Sequence, residues 1–284
     1  MHIAIAGCGW LGTALGVHLK NQGHQVTAIR RNPERLGELA SLGLKPQALD
    51  LSDHQAHLAL ASDIEAIVAC QSARSDSAEG YRAAYLTVNQ NLLRAAERLP
   101  LRALVYTGST GVFGYRDGRE VTESTAVSPA SPTSEVLVEA EQQLVHASNQ
   151  GIPTRIVRLS GLYGPGRWGT LQRVRSGALA LGPGDDAYMN FCHLDDAVAM
   201  VEAALLRGGD GAIYHASDAQ PPMRRDVVRW MAARLGIDPQ TRAEASPYAA
   251  PSRRISASWS RDQLGVTLRF ADFKAGFDQA AHPT

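Results

Sequence analysis

The stretch His2-Ile3-Ala4-Ile5-Ala6-Gly7-Cys8-Gly9-Trp10-Leu11-Gly12 decides the fold. Its first five residues form a short, mainly apolar run closed by glycine, the pattern of a strand covered on both faces of a parallel sheet. An apolar-periodic stretch to Lys20 then predicts a helix, and Gln25-Val26-Thr27-Ala28-Ile29 reads as a second strand. The G-x-G-x-x-G of Gly7, Gly9 and Gly12 thus stands where the first strand passes into the first helix. Glycine has three uses at such a junction: it makes a tight turn, lets backbone approach a pyrophosphate, and lets the helix pack close on the strand. The N–H groups and positive dipole end of the helix then face the phosphates. In this setting the motif predicts a dinucleotide site built from Gly7, Gly9, Trp10, Leu11 and Gly12, against the plainer reading of a glycine turn without a ligand.

Outward from that stretch the alternation of strand and helix continues. A helix is expected at Pro33 to Leu42, strands at Leu44 to Leu49 and Ile64 to Cys70, and a long helix ending near Arg98. A strand at Ala103 to Thr107, a polar loop from Gly114 to Pro132, a helix from Glu135 to Ala147 and a strand at Thr154 to Arg158 follow. This rhythm predicts an α/β fold with a doubly wound parallel sheet and right-handed crossovers. Past Ser160 glycine and proline cluster and the rhythm loosens, leaving strand-helix pieces at Asn190 to Leu206 and Ala212 to Leu235. The expected division is a nucleotide-binding domain over residues 1–160, with 190–215 adding to its sheet, and a smaller C-terminal substrate lobe over 161–284.

Composition narrows the partners. The 284 residues carry 28 Lys and Arg against 28 Asp and Glu, so no long-range field draws the chain to nucleic acid or anionic lipid. Hydrophobic residues at 44% and charged residues at 20% exclude a disordered or coiled-coil chain. No apolar run reaches membrane-spanning length, and the glycine-broken N-terminus is unlike a signal peptide; the expectation is a cytoplasmic protein that binds neither nucleic acid nor membrane. Cys8, Cys70 and Cys192 are odd in number and widely spaced, which predicts free thiols rather than a disulfide framework or a zinc site.

An NAD-type site places an acid at the end of the second strand to hold the ribose 2′-hydroxyl. Here that place holds Arg30 and Arg31. Guanidinium groups suit a 2′-phosphate, so NADP is expected over NAD, the alternative being a solvated surface pair. Asp50 and Leu51, after the third strand, are candidates for the adenine edge, Asp50 equally for a turn cap. Ala69 and Cys70 are expected to line the adenosine pocket. Cys8, at a helix start, is either a favoured thiolate or a small buried hydrophobe.

From the fifth strand on the residues become more specific. Thr107-Gly108-Ser109-Thr110-Gly111-Val112-Phe113-Gly114 resembles the S-x-x-x-[YF]-G segment of the extended short-chain dehydrogenases/reductases. Arg158-Leu159-Ser160-Gly161-Leu162-Tyr163-Gly164-Pro165-Gly166-Arg167, Asn190-Phe191-Cys192-His193-Leu194-Asp195-Asp196 and Tyr214-His215-Ala216-Ser217 are similar to later segments of that family, in order. The chain resembles an NAD-dependent epimerase/dehydratase-like member along most of its length. Two departures stand out. Ala6 fills the first glycine position of the family's G-x-x-G-x-x-G, and the positions of its Tyr-x-x-x-Lys pair hold Thr133 and Leu137. No Tyr or Lys lies between Arg119 and Gln150, so a shifted alignment does not restore the pair. In the family the lysine helps lower the tyrosine pKa from about 10, letting it pass a proton near neutrality; threonine beside leucine cannot.

The resemblance implies that Ser109 hydrogen-bonds a reacting carbonyl, with Thr110 beside it; alternatively Ser109 bonds backbone at the strand end. Tyr163 is a second catalytic candidate or a shaping residue of the loop at the sheet's carboxyl edge. His193 is a candidate substrate contact and acid or base, while Asp195 and Asp196 equally suit a helix cap. Arg167, Arg253 and Arg254 are candidates to grip an anionic substrate or are ordinary surface charge. Relatives often dimerise, and Leu92, Leu93, Leu137 and Leu144 would permit a homodimer. No metal is expected. Two functions compete: an NAD(P)-dependent oxidoreductase or epimerase/dehydratase-like enzyme on a small polar substrate, such as a sugar nucleotide, and a non-catalytic NADP-binding sensor.

Overall fold

The computed structural model describes residues 1–183, 185–244 and 252–279. Seven strands form the central sheet: β1 (His2–Ala6), β2 (Gln25–Arg30), β3 (Lys45–Ala48), β4 (Ala66–Ala69), β5 (Ala103–Ser109) and, beyond the short β6 (Glu120–Val121) outside it, β7 (Thr154–Leu159) with β10 (Ile213–Ala216). Their spatial order is β10-β7-β5-β4-β1-β2-β3, and neighbouring strands pair in parallel, as His2 opposite Gln25 and Ile3 opposite Ala66 illustrate. Strand order reverses between β1 and β4, which opens a crevice at their carboxyl ends. The doubly wound sheet expected from the rhythm is the one found.

β8 (Gly161–Tyr163) and β9 (Phe191–His193) pair with each other in a separate two-stranded sheet. The expectation that 190–215 extends the main sheet therefore holds only at its end, where β10 begins. β6 pairs in parallel with β11 (Arg254–Ile255). A two-residue strand has no periodicity of its own, and its partner lies far along the chain, so the loop Gly114 to Pro132 gave no local sign of it.

The helix expected from Glu135 runs from Pro132 to Asn149. Pro132 is preset for the first helical position, and Ser131 and Ser134 form a reciprocal capping box, so the start lies a turn earlier than the apolar pattern suggests. Before β5 the helical stretch from Ala78 to Ala96 contains a π-helical segment at Arg82–Thr87.

Both faces of the sheet are covered. Leu15, Leu19, Val201 and Leu205 pack on one side with Ile3, Ile5 and Val105; Leu92, Ala140 and Leu144 pack on the other with Ile67, Leu104 and Ile156. Leu92, Leu137 and Leu144 are at most 8% exposed. They pack in the chain's own buried clusters, with Leu93 partly buried against the same side of the sheet as Leu92. The C-terminal lobe has its own cluster around Tyr163, Phe191, Val227, Met231, Phe273 and Phe277.

Candidate functional site

At the end of β1 the three glycines separate by role. Gly7 has φ +82°, and a Cβ there would lie 2.6 Å from Gln71 Cα, so the turn and the crossing of β4's exit both demand glycine. A Cβ on Gly12 would lie 3.0 Å from Ile5 Cγ2 and 3.2 Å from the Gly7 carbonyl, so Gly12 lets the helix Trp10–Asn21 lie on its strand. A Cβ on Gly9 would meet only the Gly7 carbonyl, 3.8 Å away. Gly9 is bare toward a cleft rather than toward the protein.

That cleft, about 520 Å³, lies over the switch point. Gly7 and Gly9 line one side, Arg30, Arg31 and Asp50 another, and Gln71 follows the end of β4. The Arg30 guanidinium donates to the Cys8 carbonyl and sits 3.5 Å from Glu38, so it is braced against the glycine turn. Arg31 is 3.6 Å from Asp50, and both are about half exposed. Burial works to raise the Asp50 pKa, but the amide and hydroxyl of Ser52 and the Arg31 guanidinium outweigh it and hold the carboxyl below its ordinary value. Asp50 is thus both the turn cap and a wall of the cleft, with Leu51 beside it. Arg35 and Arg74 also line it. Neither was singled out in the sequence, although each follows the end of a strand that faces the crevice.

Other residues fall away from it. Trp10 sends its indole N–H to the Pro165 carbonyl at 2.9 Å, and Leu11 is a core side chain that can offer a ligand only its backbone. Ala69 is fully buried and accepts from the Thr107 hydroxyl. Burial pushes the Cys70 thiol up to about 12, and the residue packs behind Gly12. The pocket wall is formed instead by Gln71 and Ser72, because β4 crosses the sheet edge only after Cys70. Cys8 is buried, and desolvation raises its pKa despite the Thr13 hydroxyl and Arg30, so it is the small hydrophobe and not a favoured thiolate.

At the end of β5, Ser109 Oγ accepts from Gly111 N at 3.0 Å and starts a tight turn. Its O–H donates to no acceptor among the described residues, which leaves that proton for a carbonyl oxygen. Thr110 is buried and its hydroxyl faces the Leu159 carbonyl, so it is no substrate contact. Thr133 pairs with the Ser131 hydroxyl at 3.0 Å, and Leu137 packs in an apolar cluster with Val112, Phe113, Val121 and Ile255. One turn further along the helix, Glu141 holds Arg158 by two hydrogen bonds of 2.9 and 2.7 Å, both side chains buried. The space of a Tyr/Lys pair is filled by ordinary packing.

The remaining candidates lie outside the lining of that cleft. Tyr163 is 2% exposed, stacks on Phe277 and directs its hydroxyl to Asp218 at 3.4 Å. Burial first, and then the Asp218 charge, push its pKa well above the tyrosine range, and its hydroxyl faces Asp218 and the Asp272 carbonyl rather than the cleft. His193 is fully buried and caps the helix Leu194–Arg207, its Nδ1 accepting from Asp195 N at 3.2 Å. Asp196 accepts from Arg269 N and Phe270 N, tying down the C-terminal segment. Arg167 lies 5.4 Å over the Trp10 ring, at the glycine loop and not in the lobe. Arg254 is exposed, bonded to the Gly118 carbonyl and stacked on Tyr188, while its neighbour Arg253 turns inward.

Among the described residues no group of three His, Cys, Asp or Glu could hold a metal, and no helix is long and apolar enough to cross a membrane.

Comparison with known proteins agrees with this geometry. The chain is 29% identical to Protein YeeZ of Escherichia coli K12, over 95% of this chain and 96% of that one. It is 26% identical to 2-alkyl-3-oxoalkanoate reductase of Stenotrophomonas maltophilia, over 82% of this chain and 75% of the other. A mutant of UDP-glucuronic acid 4-epimerase from Bacillus cereus, solved with UDP-4-deoxy-4-fluoro-glucuronic acid and NAD, superposes with a TM-score of 0.83 at 19% identity, over 100% of both chains. The model of the NAD dependent epimerase/dehydratase family matches residues 3–216. With that match spanning the whole sheet and its crevice, the chain belongs to the NAD dependent epimerase/dehydratase family.

Proposed function

We propose that this protein is an NADP-dependent oxidoreductase of epimerase/dehydratase type, acting on a small polar carbonyl or hydroxyl compound at the end of β5. The observation that carries the reading is the cleft at the switch point, with Gly9 open toward it and Arg30, Arg31 and Arg35 along the end of β2. A bound nicotinamide cofactor would supply hydride transfer. The backbone at Gly7 and Gly9, with the start of the helix Trp10–Asn21, would hold its pyrophosphate. The Arg31 guanidinium would take a 2′-phosphate in preference to a bare hydroxyl, since a planar guanidinium pairs with phosphate bidentately. Ser109 would donate its hydroxyl proton to a carbonyl oxygen and so orient the reacting carbon.

A second reading is favoured by one specific observation. Thr133 and Leu137 stand where the family's Tyr/Lys pair would be, with Leu137 in an apolar cluster. A non-catalytic NADP sensor needs no proton donor there.

Calorimetric titration of cofactor-free protein with NADPH and NADH tests the first step. NADPH should bind at least tenfold tighter than NADH, and the double variant Arg30→Ala, Arg31→Ala should erase that preference. Equal losses for both cofactors would refute the assignment of NADP. NADPH oxidation, followed over a panel of carbonyl compounds and sugar nucleotides, then separates enzyme from sensor: tight binding without turnover favours the sensor.

A further inference from the structure

Three distant segments meet at the turn after β10. Asp218 N donates to the Phe191 carbonyl of β9 at 2.7 Å, and Ala219 N donates to the Ala271 carbonyl at 2.9 Å. The Asp218 side chain, 2% exposed, receives the Tyr163 hydroxyl at 3.4 Å, a proton shared with the Asp272 carbonyl at 3.5 Å. The C-terminal helix Phe273–Asp278 lies directly on that hydroxyl. A Cβ on Gly276 would stand 2.2 Å from Tyr163 Oη, so glycine alone permits the approach. Phe277 stacks on the Tyr163 ring, and Phe273 joins the same buried cluster.

What Asp218 lacks is a cation. Its Oδ1 is sealed from solvent and has no hydrogen-bond partner among the described residues. Arg269 faces the neighbouring acids from the C-terminal segment, but its guanidinium pairs with Asp195 at 2.8 Å. On the C-terminal helix itself, Asp278 pairs with Arg234 at 2.7 Å and Lys274 is exposed. The groups that do face Asp218 are acidic or neutral. Asp196 of the helix Leu194–Arg207 and Asp272 at the start of the C-terminal helix bring negative charge. The Cys192 thiol is raised by burial and the His193 imidazole is lowered by it, so neither is charged near neutrality. A carboxylate buried beside other acids is costly unless it takes up a proton. Burial first, and the Asp196 charge next, accordingly raise the Asp218 pKa to about 7, and the Tyr163 hydroxyl and the His193 N–H do not offset them.

We propose that Asp218 is a pH-operated latch of the C-terminal helix: protonated, it lets Phe273–Asp278 seat on Tyr163, and ionised, it drives that helix off the lobe so that water reaches the carboxylate. The seated state holds one proton more than the released state between about pH 4 and pH 7. Seating is therefore strongest below about pH 4 and weakens as pH rises through 7. With an exposed aspartate near 4, the release equilibrium should rise roughly eightyfold between pH 5 and pH 8. The latch also reaches the first cleft, because Tyr163 leads into the turn Gly164–Arg167, whose Pro165 carbonyl accepts from Trp10 at the glycine loop. It is a property of the chain alone and does not depend on the function proposed above.

The test is hydrogen exchange on the full chain at pH 5 and pH 8, read by mass spectrometry and corrected for the intrinsic pH dependence of amide exchange. Protection of Phe273–Asp278 should fall tenfold or more at pH 8, while that of the helix Trp10–Asn21 stays within threefold. Asp218→Asn, which keeps the shape of the neutral carboxyl, should hold the helix seated at both pH values. Gly276→Ala, whose methyl would press on Tyr163 Oη, should leave the helix unprotected already at pH 5 and so marks the released state. Tryptophan fluorescence gives a second readout, since Trp168 lies 5.7 Å from Phe277 and Trp230 lies 5.4 Å from Phe273. It should shift with a midpoint near pH 7 in the parent and stay flat in Asp218→Asn. Equal protection of Phe273–Asp278 at pH 5 and pH 8 in the parent overturns the proposal, and that result needs no variant to fold. An equal loss in the helix Trp10–Asn21, or the same loss in Asp218→Asn, overturns it as well.

Discussion

Replacing Gly9 by alanine separates ligand binding from folding more sharply than any other change at the glycine loop. The added methyl meets nothing of the protein closer than the Gly7 carbonyl at 3.8 Å, ordinary van der Waals contact. Gly9 has φ −85°, outside the region reserved for glycine. Alanine is a poorer helix cap, by a few tenths to about 1 kcal/mol, while the stiffer unfolded chain returns about 0.4–1 kcal/mol. These nearly cancel, so the melting temperature should move by no more than about 2 °C. The methyl would, however, project into the cleft where backbone N–H groups must approach a pyrophosphate. Losing one or two charge-assisted hydrogen bonds costs about 3 kcal/mol, or roughly a hundredfold in Kd for NADPH. Gly12→Ala is the control. Its methyl would stand 3.0 Å from Ile5 Cγ2 and 3.2 Å from a backbone carbonyl, so it should overpack the helix against β1 and cost about 1–3 kcal/mol of stability. Thermal unfolding and NADPH calorimetry on both variants decide the matter. If Gly9→Ala binds NADPH as the parent does, or melts as low as Gly12→Ala, the division of roles argued from the loop geometry is wrong.

Two further outcomes are expected. Ser109→Ala should leave NADPH affinity intact and lower any turnover about a hundredfold, a magnitude typical of general acid–base groups; full retained activity in a kinetic assay would take Ser109 out of the site. Asp218 is 2% exposed and its pKa is raised to about 7, by burial first and by the Asp196 charge next. Below about pH 4 it is protonated folded and unfolded alike. Between about pH 4 and 7 the folded state holds one proton more than the unfolded state, so this carboxyl's stabilising contribution is lost as pH rises toward 7, by up to about 4 kcal/mol. Asp218→Asn should remove that slope from urea midpoints measured at pH 5, 6, 7 and 8, and an identical slope in the variant would contradict the assignment.

Much of the cleft at the switch point was legible in the sequence, because its information is local. A glycine that turns, one that stays bare and one that packs occupy fixed offsets from a single strand, and Arg30 and Arg31 follow the second strand directly. The C-terminal candidates were less legible. His193 and Tyr163 look like chemistry in a linear string, yet both are buried: His193 caps a helix beside Phe270, and Tyr163 stacks on Phe277, more than a hundred residues further on. Arg253 and Arg254 are equivalent neighbours until β11 pairs with β6.

The sequence by itself determined the doubly wound sheet and the glycine loop, since strand and helix periods and a glycine turn depend on near neighbours. It also determined that Thr133 and Leu137 replace a Tyr/Lys pair, since that is a matter of residue identity. Only the tertiary structure decided that Gln71 and Ser72, rather than Ala69 and Cys70, wall the cleft, and that His193 and Tyr163 are buried. These depend on which distant segments bury a side chain, and burial, which sets whether a group meets water, a partner or a ligand, is a property of the packed chain and not of its order.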